Sequence, residues 1–441
     1  MNKVSVIGLG KLGACSAASF SARGFEVIGV DANKAFVDAI NAGRAPVVEP
    51  LLQEKITASG KRLRATQDFK EALLGSDFTL LIVPTPSQPD GHFSNKYMES
   101  ALRELAKAMK ETQKKGHLFV MTSTVSPGTC EKVFIPLIES VSGMKSNMDF
   151  GVCYNPEFIA LGSVIKDFLN PDMVLIGESE KKWGDMLQDA YERACENKPY
   201  FARMSLVSAE ITKISLNSYI TMKITFANTL ANICERIPGS NVDHITKALG
   251  ADRRISPYYL KGGLSFGGPC FPRDNRAFAA FSADYGIDAK QAKTTDQVNY
   301  DQVQHLVGKV MKVVQAKNAT SVSILGLAYK PDTPVIEESP SVKIIHELLK
   351  RGGVRVVVYD PLAMDSVRAE IGDVVTYATS IKDCMAQSPI VIIATQTREF
   401  KEINPSHITH SPTTVIDCWR LLDPSQFGGK IEHIPIGAYQ Q

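Results

Sequence analysis

Apolar and polar positions alternate along this chain in a pattern that changes twice. Residues 4–8 form a short apolar run, residues 14–23 have helical composition with Gly24 able to end the helix, and residues 26–31 form a second apolar run. Further short apolar runs occupy residues 78–83, 118–122, 150–154 and 171–177. Such runs separated by helical stretches predict buried strands of a parallel sheet joined by crossover helices. The pattern then breaks. From about Ser205 to Arg236 there is neither proline nor glycine, Ile211, Ile214, Ile224, Leu230 and Ile233 recur among small and polar residues, and Pro238-Gly239 supplies a stop. One helix of about 30 residues, some 45 Å long, is expected. A helical stretch is predicted from about Arg276 through Lys317, and then the first pattern restarts, with strands at residues 321–326, 354–360, 390–395 and 414–417 and a helix at 341–349. The expected class is α/β, with two Rossmann-like, doubly wound parallel-sheet domains joined by a long central helix. A length of 441 residues agrees with more than one core, and the pattern divides it at residues 1–200, 201–300 and 301–441.

Chemistry enters at the first turn. Gly8-Leu-Gly10-Lys-Leu-Gly13 lies between the first predicted strand and helix, and the second strand ends in Asp31. This order is a dinucleotide fingerprint: a tight turn at Gly8, close approach of a pyrophosphate at Gly10, helix packing at Gly13 and a carboxylate for the ribose hydroxyls. An acid at that position favours NAD over NADP, whose 2′-phosphate it would repel. The strands that follow end in Val83-Pro84-Thr85-Pro86 and Ser123-Thr124, and ligands in such sheets bind outside the carboxyl ends of the strands. Glu157, at another strand end, is a candidate base or water-positioning group. Lys213 and Asn217 are four apart on the long helix and share a face. In the stretch Phe266-Gly267-Gly268-Pro269-Cys270-Phe271-Pro272-Arg273-Asp274, two glycines allow close approach to a ligand and a thiol is followed four residues later by a carboxylate. The second sheet lacks the glycine spacing of the first and offers Lys330 to anionic groups.

Composition narrows the class. Charged residues make up 22% and apolar residues 44%, and a formal charge of +2 gives no reason to expect a nucleic-acid or membrane partner. Eight cysteines with no CxxC and no short Cys/His spacing suggest neither a metal site nor a disulfide framework, and hence a reducing compartment. With no signal-like start and no apolar run approaching eighteen residues, a cytoplasmic protein is expected.

Taken together, the glycine turn, Glu49-Pro50, the strand-end loops, Asn155-Pro-Glu-Phe158, residues 208–217, the cysteine stretch, Lys330 and Asp417-Cys-Trp-Arg420 resemble the UDP-glucose/GDP-mannose dehydrogenase family over nearly the whole chain. The resemblance implies oxidation of the C6 alcohol of a nucleotide-linked hexose to a carboxylate, with two NAD reduced per turnover. It implies an NAD domain, a central dimerisation domain carrying the cysteine, and a C-terminal nucleotide-sugar domain. In such a mechanism Cys270 forms a thiohemiacetal and then a thioester. Lys213 and Asn217 stabilise the oxyanions, and Asp274, Glu157 and Thr124 divide proton transfer and hydrolysis in a way the sequence does not settle. The same resemblance gives Gly8, Gly10, Lys11, Leu12, Gly13, Asp31, Val83, Pro84, Thr85, Ser123, Thr124 and Arg273 to the cofactor. The substrate receives Glu157, Phe158, Lys213, Asn217, Tyr258, Phe266, Gly267, Lys330 and Arg420, and Arg254 reaches a neighbouring subunit's substrate, so a homodimer is expected.

Three departures cluster around the cofactor. Leu161 replaces a glutamate, Glu337 an arginine and Phe36 a basic residue, whereas Cys270, Lys213, Asn217 and Asp274 match the family pattern. Pro269 stands where serine is frequent. The preferred reading is a UDP-glucose 6-dehydrogenase. The alternatives are a GDP-mannose or UDP-N-acetylhexosamine 6-dehydrogenase, a two-electron β-hydroxyacid dehydrogenase, and a non-catalytic nucleotide-sugar binder with an impaired NAD site.

Overall fold

In the computed structural model, which describes residues 2–440, the near-continuous apolar runs become strands buried on both faces, as a sheet covered by helices on each side requires. The chain divides into two units, the first ending at Ser215 and the second beginning at Leu216.

The first unit is built on eight strands: β1 (Lys3–Ile7), β2 (Glu26–Val30), β3 (Leu63–Thr66), β4 (Phe78–Leu81), β5 (His117–Met121), β6 (Phe150–Tyr154), β7 (Met173–Glu178) and β8 (Tyr200–Ser205). Their order is β3-β2-β1-β4-β5-β6-β7-β8. All pairs are parallel except β6 with β7, where Cys153 faces Glu178. Successive side chains of one strand enter opposite cores. Phe78 and Leu80 join Val4 and Phe20 on one face, while Leu81 joins Ile7, Phe119 and Phe150 on the other. Helix α1 (Lys11–Ala22) follows β1, and α2 (Lys181–Ala194) packs Tyr191 into the first core beside Phe20 and Phe168.

The long helix α3 (Leu206–Cys234) has 29 residues and spans the division, close to the expected 205–236. In the second unit it is followed by α4 (Val242–Ala251), α5 (Phe271–Asp284) and α6 (Lys290–Lys317). The single helical stretch expected from about 276 to 317 is therefore two helices. The break falls around Gly286, whose φ of 72° lies in the left-handed region, and α5 begins earlier because Pro272 occupies its first turn without needing a donor.

A second sheet comprises β9 (Ser321–Leu325), β10 (Arg355–Tyr359), β11 (Thr376–Tyr377), β12 (Ile390–Ile393), β13 (Thr413–Asp417) and β14 (Ile431–Pro435), all parallel. Its order, β11-β10-β9-β12-β13-β14, repeats the first six positions of the other sheet. The repeat extends to the backbone after the first strand, where φ is 95° at Gly8 and 98° at Gly326. It extends also to the acid ending the second strand: Asp31 accepts from Leu9 N at 2.6 Å, and Asp360 from Leu327 N at 2.7 Å. Among the described residues no helix is long and apolar enough to cross a membrane.

One polar chain crosses the interior of the first sheet. Ser5 Oγ lies 2.7 Å from Thr79 Oγ1, which lies 2.7 Å from Nε2 of the fully buried His117. Burial, reinforced by the nearby Lys114 charge, pushes the His117 imidazole down from 6.5 to about 3. The folded value lies below the unfolded one, so the unfolded chain binds the extra proton. The stability carried by neutral His117 is intact above pH 6.5 and is lost as pH falls from there towards 3. Between pH 7 and pH 5 the loss amounts to about 2 kcal/mol. Urea denaturation at the two pH values should show that loss shrinking in His117→Leu relative to the parent; an equal loss in both proteins would contradict it.

Candidate active site

The dinucleotide turn has the shape its sequence requires. A Cβ at Gly8 would come within 2.2 Å of the Ile82 carbonyl oxygen, and one at Gly13 within 1.8 Å of the Gly8 carbonyl oxygen, so strand, turn and helix close tightly only with glycine at both. A Cβ at Gly10 would meet nothing within 4 Å. Gly10 is the N-cap of α1, with no side-chain cap and no acid in the first turn, which leaves the amides of the helix start, at Lys11, Leu12 and Gly13, for an anion. Asp31 accepts from Leu9 N and, at 2.7 Å, from Asn33 N, which fixes its carboxylate at the end of β2. These features fit NAD: the α1 start would hold its pyrophosphate, and Asp31 its adenosine ribose.

The loops after β4 and β5 are braced against each other. Ser123 Oγ accepts from Val83 N at 3.0 Å and donates to Val83 O at 2.6 Å, and Thr85 Oγ1 donates to Thr124 O at 2.7 Å. Pro84 is exposed between them. The far end of the second loop is held by Glu210, a fully buried carboxylate on α3 that accepts from Cys130 N at 2.8 Å and from Gly128 N. Burial pushes the Glu210 carboxyl up, against the pull of these donors. Glu210 was not among the expected site residues, although an acid three positions before Lys213 on one helix was the available signal.

Glu157 lies in the loop after β6. Its Oε1 accepts from Tyr191 OH at 3.1 Å, and its backbone oxygen accepts from Lys213 Nζ at 2.6 Å. The same ammonium lies 4.6 Å from the centroid of the Phe158 ring, within cation–π range. Burial of the Glu157 carboxyl outweighs the Tyr191 hydrogen bond and the Lys213 charge and raises it to about 7, the range suited to a general base. The loop's other end is tied to Glu49, which accepts from Gly162 N at 2.8 Å and Val164 N at 3.1 Å. Leu161 packs on the first core, as does Phe36, so both departures have gained apolar contact where the family pattern carries charge.

In the second unit, Asn217 donates from Nδ2 to Asp274 Oδ2 at 2.6 Å, and Arg273 Nε donates to Asp274 Oδ1 at 3.0 Å. Asp274 is fully buried and lies in the first turn of α5, its amide donating to Cys270 O at 2.8 Å. Cys270 is the N-cap of that helix and is exposed, whereas the other seven cysteines are buried. A helix N-terminus stabilises negative charge and so favours a thiolate. The preceding loop is clamped: Asn299 accepts from Phe266 N at 2.7 Å and donates to Phe266 O at 3.0 Å, and Gly268 N donates to Glu337 O at 3.0 Å. Gly268 has φ 86°, and a Cβ there would lie 2.6 Å from the Tyr329 ring. A Cβ on Gly267 would lie 2.3 Å from Glu338 O. Glu337 thus meets the cysteine loop through its backbone while its side chain is exposed.

The expected substrate residues are distributed differently. Arg254 and Tyr258 are exposed, and Arg254 pairs with Asp252 at 2.7 Å. Lys330 Nζ is 5.8 Å from the Tyr329 ring centroid. The Arg420 guanidinium is turned inward, to Asp243 at 2.7 and 2.8 Å, to Gly262 O at 2.8 Å and to Ile436 O, with a backbone φ of 56°. The first unit therefore gathers the NAD turn, Thr124, Glu157, Phe158 and Lys213. The second gathers Asn217, Cys270, Arg273 and Asp274, and α3 carries Lys213 and Asn217 one turn apart.

Known proteins match this chain over most of its length. The model of the UDP-glucose/GDP-mannose dehydrogenase family's NAD binding domain matches residues 2–195, that of its central domain residues 207–301, and that of its UDP binding domain residues 323–424. A GDP-mannose 6-dehydrogenase of Pseudomonas putida is 37% identical over 81% of this chain and 80% of its own length. A UDP-glucose 6-dehydrogenase of Haloferax volcanii is 33% identical over 95% of this chain and 97% of its own. The solved structure of a UDP-glucose dehydrogenase from Pyrobaculum islandicum, 31% identical, covers 100% of this chain and 98% of its own with a TM-score of 0.89. Three domains of one family matched in order make this chain a member of the UDP-glucose/GDP-mannose dehydrogenase family, the NAD-dependent nucleotide-sugar dehydrogenases.

Proposed function

We propose that the protein oxidises the C6 hydroxyl of UDP-glucose to the carboxylate in two successive steps through a covalent intermediate on Cys270. The observation that carries this reading is the position of Cys270, the exposed thiol among eight, at the start of a helix whose first turn holds Asp274 against Asn217. NAD, when bound, accepts a hydride in each of the two oxidations. The chain supplies the rest. After the first oxidation the Cys270 thiolate adds to the C6 aldehyde, forming the C–S bond, and the aldehyde oxygen becomes an oxyanion stabilised by Lys213 and Asn217. Loss of hydride from that adduct leaves a thioester. Glu157 then takes a proton from water as it attacks the thioester carbon, the C–S bond breaks, and the thiolate is restored. Asp274 orients the Asn217 amide, and Thr124 belongs to the brace between the two strand-end loops.

UDP-glucose is supported by the full-length match to the Pyrobaculum enzyme and by the near-complete coverage of the Haloferax one. The higher identity of the Pseudomonas enzyme over four fifths of the chain favours GDP-mannose as the second reading. Arg420 enters the proposal as the residue that holds the loop after β13, and Lys330 as the cation for the substrate's phosphates.

A homodimer belongs to the same proposal. Along α3, Tyr219, Phe226 and Ile233 recur every seven residues and are 57%, 53% and 45% exposed, a stripe that a second copy of the helix would cover. Arg254 then faces the neighbouring copy. Phe226→Glu should halve the mass seen by sedimentation; an unchanged mass would exclude this face.

Incubated with NAD and a panel of UDP- and GDP-hexoses, the protein should form two NADH per sugar consumed with UDP-glucose, and Cys270→Ser should stall after the first oxidation or at a slowly resolved ester. Full acid production at the parental rate by Cys270→Ser would remove the thiol from the mechanism. For the cofactor, restoring a phosphate-facing cation with Glu337→Arg should lower the KM for NAD by about tenfold or more, since a hydrogen bond to a charged group contributes about 1.5 to 3 kcal/mol. An unchanged KM would count against a cofactor role for position 337.

A further inference from the structure

We propose that Tyr191 is a positioning residue for the hydrolytic step, its buried hydroxyl holding the Glu157 carboxylate in the orientation that takes the proton from water. The inference rests on the reading of Glu157 given above and assigns a function to a residue that no motif singles out. Tyr191 is 2% exposed on α2, with its ring 5.6 Å from Phe20 and 5.8 Å from Phe168. A buried hydroxyl needs a partner, and here it is Glu157 Oε1 at 3.1 Å. Glu157 is thus gripped at both ends, its carboxylate by Tyr191 and its backbone oxygen by Lys213.

The aromatic cluster gives this grip its rigidity. Phe20 belongs to α1, the helix whose start forms the dinucleotide turn, and Phe168 meets both Phe20 and Tyr191. The hydroxyl is therefore fixed relative to that turn by packed rings, without a flexible linker. Leu161 packs on the same core four residues after Glu157, where the family pattern has a second glutamate, so in this chain the carboxylate of Glu157 has no acidic neighbour at that position. The ionisable groups facing Glu157 are Tyr191 and Cys195 on the α2 side and Lys213 on α3. Burial and the Glu157 charge push the Tyr191 phenol well above its ordinary range, which keeps it a donor at every working pH. A donor to a carboxylate favours its ionised form, so removing it should make Glu157 harder to ionise.

The test is the pH dependence of acid release by the intact enzyme, with NAD and UDP-glucose or whichever hexose of the panel is turned over. The parent should show an inflection near 7, the value to which Glu157 is raised, and Glu157→Gln should abolish it. Tyr191→Phe keeps the ring in its packing. It should move the inflection up by about one unit, lower kcat at pH 7 about fivefold, leave the KM for the sugar nucleotide unchanged and recover at higher pH. Glu157→Asp, which draws the carboxylate back from the phenol without touching the core, should make Tyr191→Phe nearly silent in the double variant. If Glu157→Gln abolishes the inflection but Tyr191→Phe leaves it in place, the role of Tyr191 is overturned and that of Glu157 stands. An inflection that survives Glu157→Gln would overturn the reading of Glu157 and this inference with it.

Discussion

A row of buried polar side chains along α3 is the constraint on which the rest depends. Glu210, Lys213, Asn217, Thr221, Thr225 and Asn228 follow one another at intervals of three and four, and all are buried. Such groups are tolerated in an interior only when each finds a hydrogen-bond partner, and several of their partners lie in the loops that carry the chemistry. Glu210 takes the amides at the end of the loop after β5, Lys213 the backbone of Glu157, and Asn217 the carboxylate of Asp274. Asn228 donates to Leu264 O and accepts from Gly263 N, just ahead of the cysteine stretch. Within each unit, its own part of the helix thus holds loops that arise far from it in sequence. Loss of Glu210 or Asn228 would leave the buried backbone groups it holds unsatisfied, which costs more than the bond itself contributes.

The two sheets contribute in parallel ways. Each places its first-strand turn and the ends of its fourth and fifth strands at one edge, the crevice where ligands of such sheets bind. The first keeps an uncapped helix start at Gly10 for a pyrophosphate. In the second, the matching acid is spent on structure: Asp360 accepts from the amides of Leu327, Ala328, Leu362 and Ala363 and is almost wholly buried. That sheet has the shape of a nucleotide-binding domain but has committed its ribose-facing acid elsewhere. Its cation at Lys330 belongs to the loop that also presses Tyr329 on Gly268.

The class of the fold, the glycine turn, the acid that ends the second strand and the long helix were legible in the chain because each depends on local spacing. Short edge strands such as β3 and β11 were not, since Leu-Arg-Ala-Thr and Thr-Tyr carry too little apolar character to stand out. The buried row on α3 was hidden for a related reason: polar residues on the inward face blur the amphipathic pattern, so the helix reads as a mixed surface until its partners are seen. The pairing of Arg420 with Asp243 could not be read from its motif, because only the fold brings Asp243 beside it. Tyr191 could not be found from sequence at all, because its meaning lies in a contact 34 residues away.

The central claim is that Cys270 carries the sugar between its two oxidations, and it can be examined on the covalent species itself. Glu157→Gln, which should slow hydrolysis more than oxidation, would be mixed with NAD and UDP-glucose, quenched in acid and digested for mass spectrometry. The account predicts a nucleotide-hexuronyl thioester on the peptide containing Cys270, appearing before free acid. Release of acid with that peptide unmodified at every quench time would contradict it.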